Sequence, residues 1–165
     1  MRAASLVLGL GRSDRGDDGV GPAVVGRIES RLPRGSGVRV LAQEDPTTLL
    51  DLWEGHDHVV LVDAVVTGDP AGTLHRFDVG ADAPPLPADT LARGARAGTH
   101  AFGLATTVEL GRALHRLPAR VVVVGVEAGC LDLGAALSPP VAASLEAAAE
   151  LVWREVASDV PGCAG

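Results

Sequence analysis

The sequence has few aromatic residues: two Trp, two Phe and no Tyr among 165 residues. Any core must therefore be aliphatic, built from Val, Leu, Ala and Ile. Lysine is absent and all fourteen basic residues are Arg. A phosphate-binding P-loop, which needs its lysine, is thereby excluded. The only cysteines, Cys130 and Cys163, form neither a CxxC pair nor a zinc spacing. A reducing cytoplasm is the expected compartment. Positive charge is also short: 14 Arg against 21 Asp and Glu leave a formal net charge of −7. That balance argues against a nucleic-acid or anionic-membrane binder, which needs a basic face. No run approaches the ~20 apolar residues of a membrane helix. The opening MRAASLVLGLG is too short and too quickly polar for a signal peptide, and it reads as a first strand.

What is present is a folding composition. Apolar residues make up 47%, charged residues 21%, and mean hydropathy is +0.25, which excludes a disordered chain. The length suits one domain, expected over 1–157, with a flexible tail over 158–165. Short aliphatic runs alternate with amphipathic segments. Strands are expected at Ser5–Leu10, Gly37–Ala42, His58–Ala64 and Arg120–Val126, with an extra one at Thr73–Val79. Helices are expected at Gly21–Leu32, at Thr47–Trp53, from His100 or Ala101 to about His115, and from Pro139 onward. Thr99 and Ser138 are the expected N-caps, and Asp82–Gly98 the expected loop. Alternating βαβ units imply an α/β three-layer sandwich: a twisted, mainly parallel sheet of about five strands with helices on both faces. Ligands of such sheets sit at the carboxyl ends of the strands, near a topological switch.

The loop GLGRSDRGDDGVG, residues 9–21, follows the first strand. A dinucleotide fingerprint needs glycine at its first, third and sixth positions; here these are Gly9, Gly11 and Asp14, so it fails. Asp14, Asp17 and Asp18 also place carboxylates where a pyrophosphate needs donors. One of Asp17 and Asp18 is expected to cap the following helix, leaving the other for chemistry. Asp63 ends the buried strand VVLVDAV, where a charge is costly unless it is used or paired. It reads equally well as a carboxylate held by backbone N–H groups. His100 opens a helix after Gly98 and Thr99, and a solvated or capping role is its plainest reading. His56, His58, His75 and His115 are assigned no role. Two carboxylates and an imidazole at one sheet edge would suit zinc, nickel or cobalt, with positions open for water or substrate. Without a metal, facing carboxylates could share a proton and raise one pKa. No Ser/His/Asp or Cys/His nucleophile set is visible, and Cys130 is read as structural.

Four segments in order, LVLGLGRSDRGDDGVG, VVLVDAV with GDPAGTL, GTHAFGL, and VVVVGVEAGCLDLGAALSPPV, make the chain resemble the hydrogenase maturation proteases. The resemblance runs from Leu6 to about Val152. It implies an endopeptidase that trims the C-terminal extension of a nickel–iron hydrogenase large-subunit precursor. It further implies that Asp18, Asp63 and His100 contact nickel and carry the catalytic site. The nickel would be supplied by the precursor itself, with no organic cofactor. The lack of an aromatic patch favours a monomer.

The chain departs from the family pattern in two places. Arg12 stands where the family usually has Asn, and the segment after the second strand is AQEDPTTLL, residues 42–50. Some branches have DGGT there and others HQLxPE; Gln43 and Pro46 match the second form, but its His and Glu are missing. These differences keep two alternatives open: a non-catalytic chaperone for a hydrogenase precursor, and a hydrolase of the same fold acting on another peptide.

Overall fold

The computed structural model describes residues 5–85 and 99–161, with only the backbone of residues 99–102. The strands are β1 (Ser5–Leu10), β2 (Val38–Gln43), β3 (His58–Val65), β4 (Leu74–Asp78) and β5 (Arg120–Glu127). The helices are α1 (Val20–Arg31), the single turn α2 (Leu49–Leu52), α3 (Thr99–Ala113) and α4 (Pro139–Val156). The expected boundaries hold to within a few residues.

The strands form one sheet in the order β2-β1-β3-β5-β4. All neighbours are parallel except β4, which runs antiparallel to β5 at the edge. The weak apolar alternation of β4 follows from that position: Leu74 packs against one core cluster and Phe77 against the other, while Arg76 and Asp78 pair with each other at the surface.

Side chains alternate across the sheet with period two. Val7, Val60, Val62, Val122 and Val124 pack under α1 and α4, against Val24, Ile28, Val141, Leu145 and Val152. Leu6, Leu8, Val59, Leu61, Val121 and Val123 face the other way, against Leu49, Trp53, Leu104 and Val108. Burying each such aliphatic side chain contributes about 1.5–3 kcal/mol. These two clusters are the outer interfaces of the three layers.

From β1 the chain crosses through α1 to β2 on one side, then returns past α2 to β3 on the other. The switch point therefore lies between the carboxyl ends of β1 and β3. Helix α1 is drawn tightly onto this point by glycine. A Cβ on Gly21 would lie 2.2 Å from the Leu10 carbonyl oxygen and 2.7 Å from that of Val62. A Cβ on Gly9 would lie 2.4 Å from the Gly21 oxygen. Only bare backbone fits on both sides of this crossing.

The far end of the chain is packed further than expected. Asp159 accepts a hydrogen bond from the Ser5 hydroxyl and Val160 is buried, so order extends past Ser158. Residues 162–165, and 86–98 of the expected loop, lie outside the described residues.

Candidate active site

The loop after β1 turns at Gly11, whose φ of +121° places it where L side chains strain. A Cβ there would meet the Asp18 carbonyl oxygen at 2.0 Å. The loop then winds through a short 3-10 turn, Gly16–Gly19, which presents Asp17 and Asp18 side by side. Both are buried, and they point to different tasks.

Neither caps α1, contrary to expectation: its N-cap is Gly19, with no side-chain bond. Asp17 instead reaches across to the segment after β5. Its carboxylate accepts from the N–H groups of Gly129 (2.7 Å), Cys130 (2.8 Å) and Ser138 (2.6 Å), and from the Ser138 hydroxyl (2.8 Å). Ser138 precedes α4 as expected but makes no side-chain cap there, because its hydroxyl is given to Asp17. Burial alone would raise the Asp17 pKa. The N–H donors of Ser138, Cys130 and Gly129 outweigh it and hold the carboxyl below its ordinary value. Cys130 thus serves this clamp through its backbone, consistent with a structural role.

Asp18 accepts from the Arg12 N–H at 2.8 Å. Asp63 sits near the end of β3 and is almost fully buried. By strand period it follows Val59 and Leu61 onto the face covered by α2 and α3. Among the described residues its Oδ1 has no hydrogen-bond partner, and one N–H, that of Ala64, favours its charged form. Burial first, and then the charge of Asp18, push its carboxyl well above the usual carboxylate range. The expected pair of carboxylates, one with a raised pKa, is therefore present at the switch point. His100 lies in the first turn of α3, which packs on the same face as Asp63. Its side chain is outside the described residues.

Two groupings escaped the sequence reading. A Ser/His/Asp set does exist, at the opposite end of the sheet: the Ser5 hydroxyl lies 2.9 Å from His58 Nδ1 and donates to Asp159. Ser5 is wholly buried and bound to the carboxylate itself, so this set is a pin and not a nucleophile. The second grouping joins His75 to Glu127 at 3.1 Å and to Asp69 at 3.5 Å. Glu127 falls just past the expected strand Arg120–Val126, where it reads as the start of a loop, and its partners lie 52 to 60 residues away.

A family model described as hydrogenase maturation protease matches residues 42–155. The chain belongs to the hydrogenase maturation protease family. The hydrogenase maturating endopeptidase HybD from E. coli is similar at 27% identity, with 94% of this chain and 92% of that one covered and a TM-score of 0.75. An endopeptidase from Escherichia coli, solved in solution, matches at 27% identity over 97% and 95% of the two chains, with a TM-score of 0.80. The [NiFe] hydrogenase maturation protease HybD from Thermococcus kodakarensis matches at 25% identity over 93% and 98%, with a TM-score of 0.68. No curated protein sequence matches the chain. Membership makes the protein a hydrogenase maturation endopeptidase by family.

Both departures from the family pattern have a local structural account. The Arg12 side chain turns outward to Asp14, with nitrogens 2.8 and 3.0 Å from its carboxylate, while its backbone N–H holds Asp18. The 42–50 segment is organised by its own residues: Gln43 Oε1 accepts from the Glu44 N–H, and Asp45 caps the turn at Thr47. Pro46 then packs on α3, where a Cβ on Gly103 would come within 2.6 Å of its Cγ.

Proposed function

We propose that this protease removes the C-terminal extension of a nickel-loaded hydrogenase large-subunit precursor. Asp18, Asp63 and His100 are the residues assigned to receive the precursor's nickel. The observation that carries this reading is the Asp63 carboxylate, buried at the switch point beside Asp18 with one oxygen that has no partner among the described residues.

An orphaned buried carboxylate oxygen next to a second carboxylate is a poor resting arrangement and a good cation receptor. Two carboxylates and an imidazole suit nickel as a ligand set. Burial and the charge of Asp18 disfavour ionised Asp63 in the free enzyme, and an arriving cation favours it, so cation binding is coupled to deprotonation. An empty precursor brings no cation to the carboxylate pair. A loaded one does, and that difference in affinity is what allows the enzyme to select it. When bound, nickel polarises a carbonyl oxygen or a water in the site. The chain's own part is to fix the carboxylates: Gly11 sets the turn, the Arg12 N–H orients Asp18, and the Asp17 clamp holds the loop.

The test is mass spectrometry of the C-terminal peptides of hydrogenase large subunits in cells with the chain, without it, and with Asp63→Asn. One of these large subunits should retain its extension in both defective strains. Normal maturation of every one in all three strains would overturn the reading.

A further inference from the structure

A second set of donor atoms converges beyond Asp63 on the same edge of the sheet. Asp69 lies on the β3–β4 connection, His75 on β4 and Glu127 at the end of β5. One ligand atom from each lies within 4.8 Å of the other two. His75 Nε2 is 3.1 Å from Glu127 Oε2 and 3.5 Å from Asp69 Oδ2. Two ligands on a tetrahedral zinc, each bonded at about 2.0–2.1 Å, stand roughly 3.3 Å apart. The two measured edges bracket that spacing.

The site is built before any ion arrives. Glu127 is 1% exposed, and it is oriented by the N–H and hydroxyl of Thr67 and the N–H of Gly68. The His75 ring lies nearly parallel to that of Phe77, with centroids 6.0 Å apart. Gly125 keeps the neighbouring strand position free: a Cβ there would come within 2.9 Å of Val65 Cγ1 and 3.5 Å of the His75 Cβ. The Asp69 side chain is 55% exposed and gives the entrance. Among the described residues no arginine pairs with either carboxylate, and both lie against the His75 ring.

We propose that Asp69, His75 and Glu127 form a divalent-cation site of the zinc class, resident in the enzyme and separate from Asp18 and Asp63. One imidazole with two carboxylates favours zinc, cobalt or nickel over calcium or magnesium, which take all-oxygen shells. Three protein ligands leave a position open to water at the solvent side. The cation fastens the β3–β4 connection to the end of β5. His75 and Asp63 stand opposite the same residue, Gly125, on either side of β5, so the fastening supports the edge that carries Asp63. The site goes beyond the processing reaction and does not rest on it.

The test uses the full chain, stripped with a chelator, carrying Asp63→Asn so that the first carboxylate pair does not contribute. Zinc is titrated by calorimetry and cobalt by visible absorption. The parent should take up one zinc. His75→Gln and Asp69→Asn should each weaken it by about tenfold or more, at least the loss seen on removing even an outer partner of a metal ligand. The metal-free melting temperature of each variant is measured first. Asp69→Asn, at an exposed position, keeps the test decisive if His75→Gln fails to fold. A parent that takes up no zinc overturns the proposal, leaving a hydrogen-bonded ion triad. So does a folded variant that binds as tightly as the parent.

Discussion

Replacing Asp17 by Asn removes one charge and almost no volume, so its cost isolates the clamp between the first loop and the segment after β5. The carboxylate accepts four hydrogen bonds, three of them on Oδ2 and one, from the Ser138 N–H, on Oδ1. An amide oxygen can occupy the Oδ2 position and keep three. The amide nitrogen then faces the Ser138 N–H, donor against donor. Leaving that buried N–H unpaired costs about 1–3 kcal/mol, and the loss of charge weakens the other three bonds by about 0.5–1 kcal/mol each. The sum is about 2.5–6 kcal/mol, or a fall in melting temperature on the order of 10 °C for a domain of this size. The pH dependence has a definite sign. The folded pKa of Asp17 lies below its ordinary value of 3.8. Its stabilisation is therefore fully present above about pH 4 and is lost as pH falls through the folded pKa. Urea unfolding of both proteins from pH 7 down to pH 3 reads both features. A difference below about 1 kcal/mol at pH 7, or one that grows on acidification, would refute the reasoning.

Asp63→Asn is expected to abolish processing while leaving the melting temperature at pH 7 unchanged or higher. The carboxyl is raised above its unfolded value by burial and by Asp18, so its ionised form opposes folding and the amide relieves that opposition. A parallel loss of stability and processing would remove the argument. His58 has its pKa lowered, chiefly by burial and then by Arg120, so its neutral form stabilises the fold and acidification below about pH 6.5 should erode stability. His58→Gln should flatten that part of the stability–pH curve, as followed by thermal melts from pH 7.5 to 5. Two glycines of α1 should respond oppositely to alanine. Gly26→Ala meets nothing within 4 Å and should stabilise by about 0.5–1 kcal/mol, whereas Gly21→Ala drives a methyl into the Leu10 and Val62 carbonyl oxygens and should destabilise strongly. Equal effects in urea unfolding would show that α1 does not crowd the strand ends.

The sequence made most of the architecture legible because its strands are nearly pure signals. VVLVDAV and RVVVVGV read as buried strands on β-branched content alone, and Pro139 with Ser138 marked the start of α4. Asp63 was legible as a carboxylate at a strand end, where a charge needs a reason, while Asp18 was singled out from Asp17 only by the family resemblance. The separate duties of Asp17 and Asp18 were not. Both are adjacent acids before a helix, and only the folded chain brings Gly129, Cys130 and Ser138 to one of them. His75 was passed over for the same reason: its neighbours in sequence say edge strand, and its neighbours in space are two acids from other segments. Hydrophobic period reports which face a side chain takes. It carries no information on which distant polar atom waits there.

The clamp at Asp17 also orders events during synthesis. Its carboxylate emerges well before its partners, which lie 112 to 121 residues later, and Ser5 waits for Asp159. Contacts of such long range form late in folding. A ribosome-bound chain that stops short of residue 129 lacks the donors that hold the first loop, so the carboxylate pair has no fixed geometry. A fixed first loop therefore requires the chain as far as Ser138, and a fragment that stops before it keeps the carboxylates without their frame.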